Sequence, residues 1–190
     1  MHYRSYRFLT PLIMVLTWAN MEAQTSHPVP RLVVNVTIDQ LRTDYMEAFS
    51  SLFGAGGFNK VMRDGRSYMD AAYPFSHIDR ASAVACIMTG TVPYDNGIVG
   101  GRWMDRKTLR PMYCVDDTAC EGWLTSEKYS PVALNVSTVT DELKMATGGR
   151  ALVYSIAPDA DAAILAAGHA ATGSNTNNTA SCGGRCGRHR

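Results

Sequence analysis

No stretch of this 190-residue chain reaches the ~20 consecutive apolar residues that a membrane-spanning helix needs. No charge of one sign predominates either. Lys and Arg number 18 and Asp and Glu 17, a formal net charge of +1. A nucleic-acid surface needs a basic stripe, and this balance supplies none. Charged residues are few altogether, at 18% against 46% hydrophobic, which is enough apolar material for one domain with a core. The sharpest deficit lies at the C-terminus. Residues 173–190 contain no Val, Ile, Leu, Phe or Met, so a disordered tail over 172–190 is expected, unable to bury a face. Two readings of it stand: a reading frame lost after Ala171, or a natural flexible terminus. Cysteine is odd in number, with Cys86, Cys114, Cys120, Cys182 and Cys186, which leaves one thiol unpaired. Cys114 and Cys120 are near enough to close a small loop. Cys86 sits in an apolar helical run and reads as a buried thiol.

Residues 1–23 read as a secretory signal. Arg4 and Arg7 form a positive start, residues 8–19 an apolar run containing Pro11, and Ala23 a small final residue. The expectation is export to the periplasm or surface of a bacterium, with no membrane span after the signal is cleaved. Residues 24–30 are a polar, Pro-containing linker.

From residue 31 the pattern alternates. Residues 32–38 are apolar and rich in β-branched side chains, as in a strand buried on both faces of a parallel sheet. Helical patterns follow over 41–53 and 58–63, separated by the glycines at 54–57 and closed by Asp64 and Gly65. A second strand is predicted at 68–73. Residues 79–89 form a helix of small residues suited to close packing on a sheet, ended by Gly90. Residues 91–136 read as irregular. A helix at 140–146 is capped by Ser137 or Thr138. A third strand at 151–156 and a helix at 159–167 complete the set. Strands alternating with helices imply an α/β fold with a mainly parallel sheet.

Two places carry candidate chemistry. Asp39 follows directly on the first strand, at the carboxyl end where α/β sheets bind ligands. A carboxylate there suits Zn²⁺ or Mg²⁺, or serves equally as a helix N-cap. The second is residues 74–90, a loop running into a helix whose free N–H groups and dipole favour an anion. Ser76 and Ser82 are the hydroxyls there, and His77 and Asp79 could assist or bind metal. Each of these, taken singly, also serves as an ordinary cap or loop residue.

Together these segments resemble a known family. Val36-Thr-Ile-Asp39-Gln-Leu-Arg-Thr-Asp-Tyr45 is similar to the opening of the phosphate-irrepressible bacterial alkaline phosphatases, relatives of the type I phosphodiesterase/nucleotide pyrophosphatases. Gly56-Gly57-Phe58 with Gly65 fits the next segment. Thr89-Gly90-Thr-Val-Pro93, Gly97-Ile98-Val-Gly100 and Trp103 fit the stretch after the nucleophile helix. Thr140-Asp-Glu-Leu143 and Ala163-Ile-Leu-Ala-Ala-Gly168-His169 fit later ones. The resemblance spans residues 31–171 and implies the N-terminal part of an alkaline-phosphatase-like α/β/α sandwich. It implies a hydrolase of phosphate esters with two zinc ions and a Thr or Ser nucleophile. The expected partner is accordingly a phosphate ester or another anionic small molecule.

Carried over position by position, the resemblance is uneven. Asp39 falls on a metal-ligand aspartate. The nucleophile falls on Arg80, whose guanidinium cannot act as one. Arg80 is therefore a candidate anion contact, and Ser82, two residues on, a candidate substitute nucleophile. The family's phosphate-contacting Asn falls on Gly101. Its Lys and Arg fall near Asp159 and Asp161, reversing the charge. The other metal ligands belong to later parts of the family's chain, and His169 is not among them. The expectation is a truncated member of a metal-dependent phosphoric-ester hydrolase family, inactive as this chain. The alternative is a non-catalytic anion-binding or remnant protein of the same fold.

Overall fold

The computed structural model describes residues 29–120, 126–176 and 180–181, so the expected signal at 1–23 lies outside the described residues. The chain divides into two compact units, Met1–Val33 and Val34–Arg190. In the first, residues 29–33 are exposed and without helix or strand.

The second unit begins with the run expected to be a strand. Residues 34–38 carry the β-branched residues of a buried strand, but no ladder partner is found for them among the described residues. Val34, Val36 and Ile38 are exposed as a result. The predicted strand at 68–73 likewise forms no ladder. Strand propensity reports how well a side chain fits a pleated, half-buried surface, and without neighbouring strands it has nothing to act on. Helix α1 (Thr43–Ala48), a single 3-10 turn at Ser50–Leu52 and helix α2 (Gly57–Asp64) then follow, with no fully buried residue in any of them.

The centre of the unit is helix α3 (Arg80–Thr89), stopped by Gly90 in the left-handed conformation at φ 69°. That backbone strains any side chain but glycine's. A short helix, α4 (Pro93–Asn96), precedes the antiparallel hairpin of β1 (Arg102–Met104) and β2 (Pro111–Tyr113), in register Trp103 to Met112. Helix α5 (Val139–Ala146) leads to β3 (Tyr154–Ala157), helix α6 (Ala160–Ala167) and β4 (Gly173–Thr176). β3 and β4 pair in parallel with α6 as the crossover between them, and β5 (Ala180–Ser181) adds antiparallel to β4. This β3–α6–β4 unit makes the chain α/β.

β4 lies where composition suggested a tail unable to fold. Its pairing needs backbone N–H and C=O groups, not apolar side chains, and Ser174 is buried in it. Order therefore continues past residue 172.

The core lies between α3 and α6. Ala81, Val84, Ala85 and Met88 pack with Ile98, Cys114, Val115, Leu134, Ile164 and Leu165. The small residues of α3 do allow close approach, but to a helix as well as to the surrounding loops. A second cluster, Val153, Ala167 and Ala171, joins α6 to its flanking strands. Cys114 is a fully buried free thiol of the main cluster, as its core position requires, and Cys86 is a half-buried free thiol. Cys120 is disulfide-bonded, so it does not close the short loop with Cys114 that their spacing suggested.

Candidate functional site

The start of α3 and the start of α6 face each other. At the α3 terminus, Asp79 is the N-cap. Its Oδ1 accepts from the Ser82 backbone N–H at 2.9 Å, and the Ser82 Oγ accepts from the Asp79 N–H at 3.0 Å, closing a capping box. The Ser82 hydroxyl donates in turn to the Asp79 carbonyl at 3.1 Å. Asp79 Oδ2 accepts from the Gly101 N–H at 2.6 Å. Burial pushes the Asp79 carboxyl up, but these hydrogen bonds outweigh it and hold the group below the usual carboxylate range. The positive end of α3, expected to receive an anion, thus already holds one of the chain's own carboxylates.

Arg80, the first residue of α3, reaches across to α6. Its Nη1 lies 2.7 Å from Asp159 Oδ2 and its Nη2 3.1 Å from Asp161 Oδ2. Asp159 precedes α6 and Asp161 lies in its first turn, where a carboxylate also meets the positive helix end. The Asp161 side chain is 3% exposed, whereas those of Arg80 and Asp159 are 39% and 46% exposed. Asp161 Oδ1 accepts from the Ala162 N–H, and the Tyr113 hydroxyl accepts from the Asp161 N–H. Burial and the neighbouring Asp161 charge push the Tyr113 phenol up to about 12. A Cβ added to Gly101 would stand 3.5 Å from Asp79 Oδ2 and 3.7 Å from Asp161 Oδ2. A longer side chain there would have to share the space with both carboxylates.

Of the residues singled out from the sequence, the structure joins Arg80, Asp159, Asp161 and Gly101 in one place. Ser82 is fully buried with its hydroxyl committed to the cap, so the candidate substitute nucleophile is a capping residue. Arg80, the candidate anion contact, is already held by two carboxylates. Asp39 is exposed, beyond the strandless run, and near enough to Tyr73 for its charge to help raise that phenol, after burial and Cys86. Among the described residues no group of three His, Cys, Asp or Glu side chains is placed to hold a metal ion. Asp39 alone does not fit the zinc expected of it, since catalytic zinc sites use about three protein ligands. Ser76 and His77 line a separate cleft of about 430 Å³ with Phe75, Pro93 and Tyr94.

A second polar cluster escaped the sequence reading. Asp141, buried at the start of α5, accepts from the Thr138 N–H, the Thr138 hydroxyl and the Ala170 N–H. Its partner is His169, Nδ1 to Oδ2 at 3.1 Å. The Thr138-x-x-Asp141 spacing of a capping box was the available signal. It names the cap, but not the histidine 28 residues on.

Residues 33–179 match the family described as type I phosphodiesterase/nucleotide pyrophosphatase, and the chain belongs to that family. It is 40% identical over 147 residues to alkaline phosphatase PhoV of Synechococcus elongatus, covering 76% of this chain and 27% of PhoV. It is 31% identical over 171 residues to alkaline phosphatase PafA of Elizabethkingia meningoseptica, covering 88% of this chain and 31% of PafA. The chain therefore spans about a third or less of these relatives' length. The crystal structure of wild-type PafA superposes with a TM-score of 0.72 at 33% identity, over 75% of this chain and 28% of PafA. The fold is the N-terminal portion of an alkaline phosphatase. A PafA variant superposes with a TM-score of 0.64. Its substituted residues are a Thr, an Asn 21 positions later, and a Lys and an Arg two positions apart.

Proposed function

We propose that this chain is the N-terminal part of an exported, metal-dependent phosphoric-ester hydrolase of the alkaline phosphatase family, and that the chain itself does not hydrolyse esters. Arg80 and Gly101 share the 21-residue separation of the substituted Thr and Asn in the PafA variant, and Asp159 and Asp161 share the two-residue separation of its Lys and Arg. The observation that carries the reading is Arg80. It stands where a nucleophilic hydroxyl is needed, and the nearest hydroxyl, Ser82, is sealed in a capping box. An always-protonated guanidinium has no lone pair to attack phosphorus. Asp159 and Asp161 place negative charge where a phosphate dianion needs positive charge.

The losses compound. Removing one preorganised donor to developing charge typically costs ~10²–10³ in rate. Here the nucleophile, the Asn and both cations are replaced together. Asp39 remains as one carboxylate able to join a zinc site, with further ligands needed from outside the described residues. When bound, zinc would supply Lewis-acid stabilisation of the ester oxygens. Substrates of the family-level activity would be phosphate esters or related anions.

The test is to incubate the purified chain with zinc and p-nitrophenyl phosphate or bis(p-nitrophenyl) phosphate. No turnover above a zinc-only blank is expected. Stoichiometric zinc uptake with turnover abolished by Asp39→Ala would overturn the proposal. The second reading, a non-catalytic anion-binding protein, is disfavoured by the pairing of Arg80 with two carboxylates.

A further inference from the structure

We infer that Arg80, Asp159 and Asp161 form an internal ion triad that fills the anion site of this fold, with Arg80 a positioning residue fastening α3 to α6 and the closed triad refusing phosphate. The inference deepens the proposed function and rests on its placement of these residues, but it predicts binding, not turnover.

Four observations converge on it. Arg80 offers its two terminal nitrogens to two separate carboxylates, at 2.7 and 3.1 Å, so an arriving anion must displace one of them. Asp161 is buried, and without Arg80 its charge would stand in the protein interior facing no cation. Asp79 caps α3 with a carboxylate, which takes the N–H of Ser82 that an anion at the helix end would use. Gly101 leaves the space between Asp79 and Asp161 free of a side chain. One guanidinium is thus held by two carboxylates, a triad whose net negative charge repels phosphate. The cation at position 80 and the acids at 159 and 161 are complementary, so the buried Asp161 charge is met from across the α3–α6 contact.

The triad can be opened by Asp159→Asn with Asp161→Asn, which keeps side-chain shape and frees the Arg80 charge. Inorganic phosphate is then titrated into the full chain, followed by phosphorus NMR line broadening and by calorimetry, with circular dichroism as the fold control. The native chain should show no saturable binding up to about 10 mM, and the double variant binding at least tenfold tighter. Adding Arg80→Ala to the double variant should abolish the gain, which a purely structural tie would not predict. If Asp161→Asn unfolds the chain, Asp159→Asn alone decides, with a gain of roughly threefold expected. Native binding that equals the variants' and disappears in Arg80→Ala would overturn the inference, since Arg80 would then be an open anion contact. So would the absence of any gain in a folded variant. Ester turnover by the native chain would sink the proposed function without touching this result.

Discussion

His169 gives the chain a pH dependence whose sign can be worked out from its neighbours. Its ring spans two acceptors, with Nδ1 3.1 Å from Asp141 Oδ2 and Nε2 3.0 Å from the Leu134 carbonyl oxygen. Only the imidazolium donates to both at once; the neutral ring turns a lone pair toward one of them. The hydrogen bond to Asp141 raises the His169 pKa above its ordinary value, against the opposing effect of partial burial. Asp141 shifts the other way. Burial pushes its carboxyl up, but donors from His169, Thr138 and Ala170 outweigh this and hold it well below the usual carboxylate range. His169 therefore contributes stability in full below its unfolded pKa of ~6.5 and loses it as pH rises through the folded value. Asp141 contributes in full above ~3.9 and loses it as pH falls toward its depressed folded value. Their joint contribution is greatest between about pH 4 and 6.5. The histidine side chain is 41% exposed, so solvent screening limits its part to about 0.5–1 kcal/mol. Asp141, buried with backbone and hydroxyl donors, is worth more, and Asp141→Asn should cost about 2–4 kcal/mol at neutral pH. Urea denaturation of the native chain and of His169→Gln, each at pH 5.5 and 8.5, separates the terms. The native chain should lose about 0.5–1 kcal/mol more than the variant over that interval. Parallel pH profiles for the two proteins would refute the reasoning, because no proton linkage would then belong to His169.

Gly168 has φ 75°, and a Cβ there would collide with Thr138 Oγ1 and lie 2.9 Å from both Asp141 oxygens. Gly168→Ala should therefore destabilise by about 2–4 kcal/mol, measured by the same urea unfolding, and an effect under about 0.5 kcal/mol would mean that Gly168 does not lie against Thr138 and Asp141 as described. The two free thiols among the described residues should differ in reactivity toward a disulfide reagent. Cys114 is fully exposed only on unfolding, and burial pushes its thiol up to about 12, whereas Cys86 is half-buried. Cys86 should be modified first under native conditions and Cys114 only with denaturant; equal native rates would contradict the core.

Helices were legible where the chain states its own boundaries. Gly90 and Gly168 mark the ends of α3 and α6, and Thr138 and Asp79 mark starts, because caps are local chemistry. Strands were less so. Residues 32–38 have every local feature of a buried strand, yet a strand exists only through a partner, and the described residues provide none. β4 shows the converse. A stretch of Gly, Ser, Asn and Thr carries no apolar signal, but β3 lies parallel to it and their backbones pair. The hairpin at 102–113 lay within a segment that read as irregular, its strands of three residues too short to show alternation.

The site was legible residue by residue but not as an arrangement. Arg80, Asp159 and Asp161 each look like the loss of something: a hydroxyl, a Lys, an Arg. Read singly, they suggest decay, and Arg80 read singly also suggests an anion contact. Some 80 residues of sequence separate the arginine from its acids, so no window along the chain holds both. Only the packing of α3 on α6 brings the opposite charges within 3.1 Å. That pairing changes the energetic meaning of each substitution. A buried Asp161 without a cation would cost several kcal/mol, whereas Arg80 stands 3.1 Å from it and 2.7 Å from Asp159. The cation at 80 and the acids at 159 and 161 complement one another instead of an incoming anion. The proposed loss of ester chemistry and the polar tie between α3 and α6 thus involve the same three side chains.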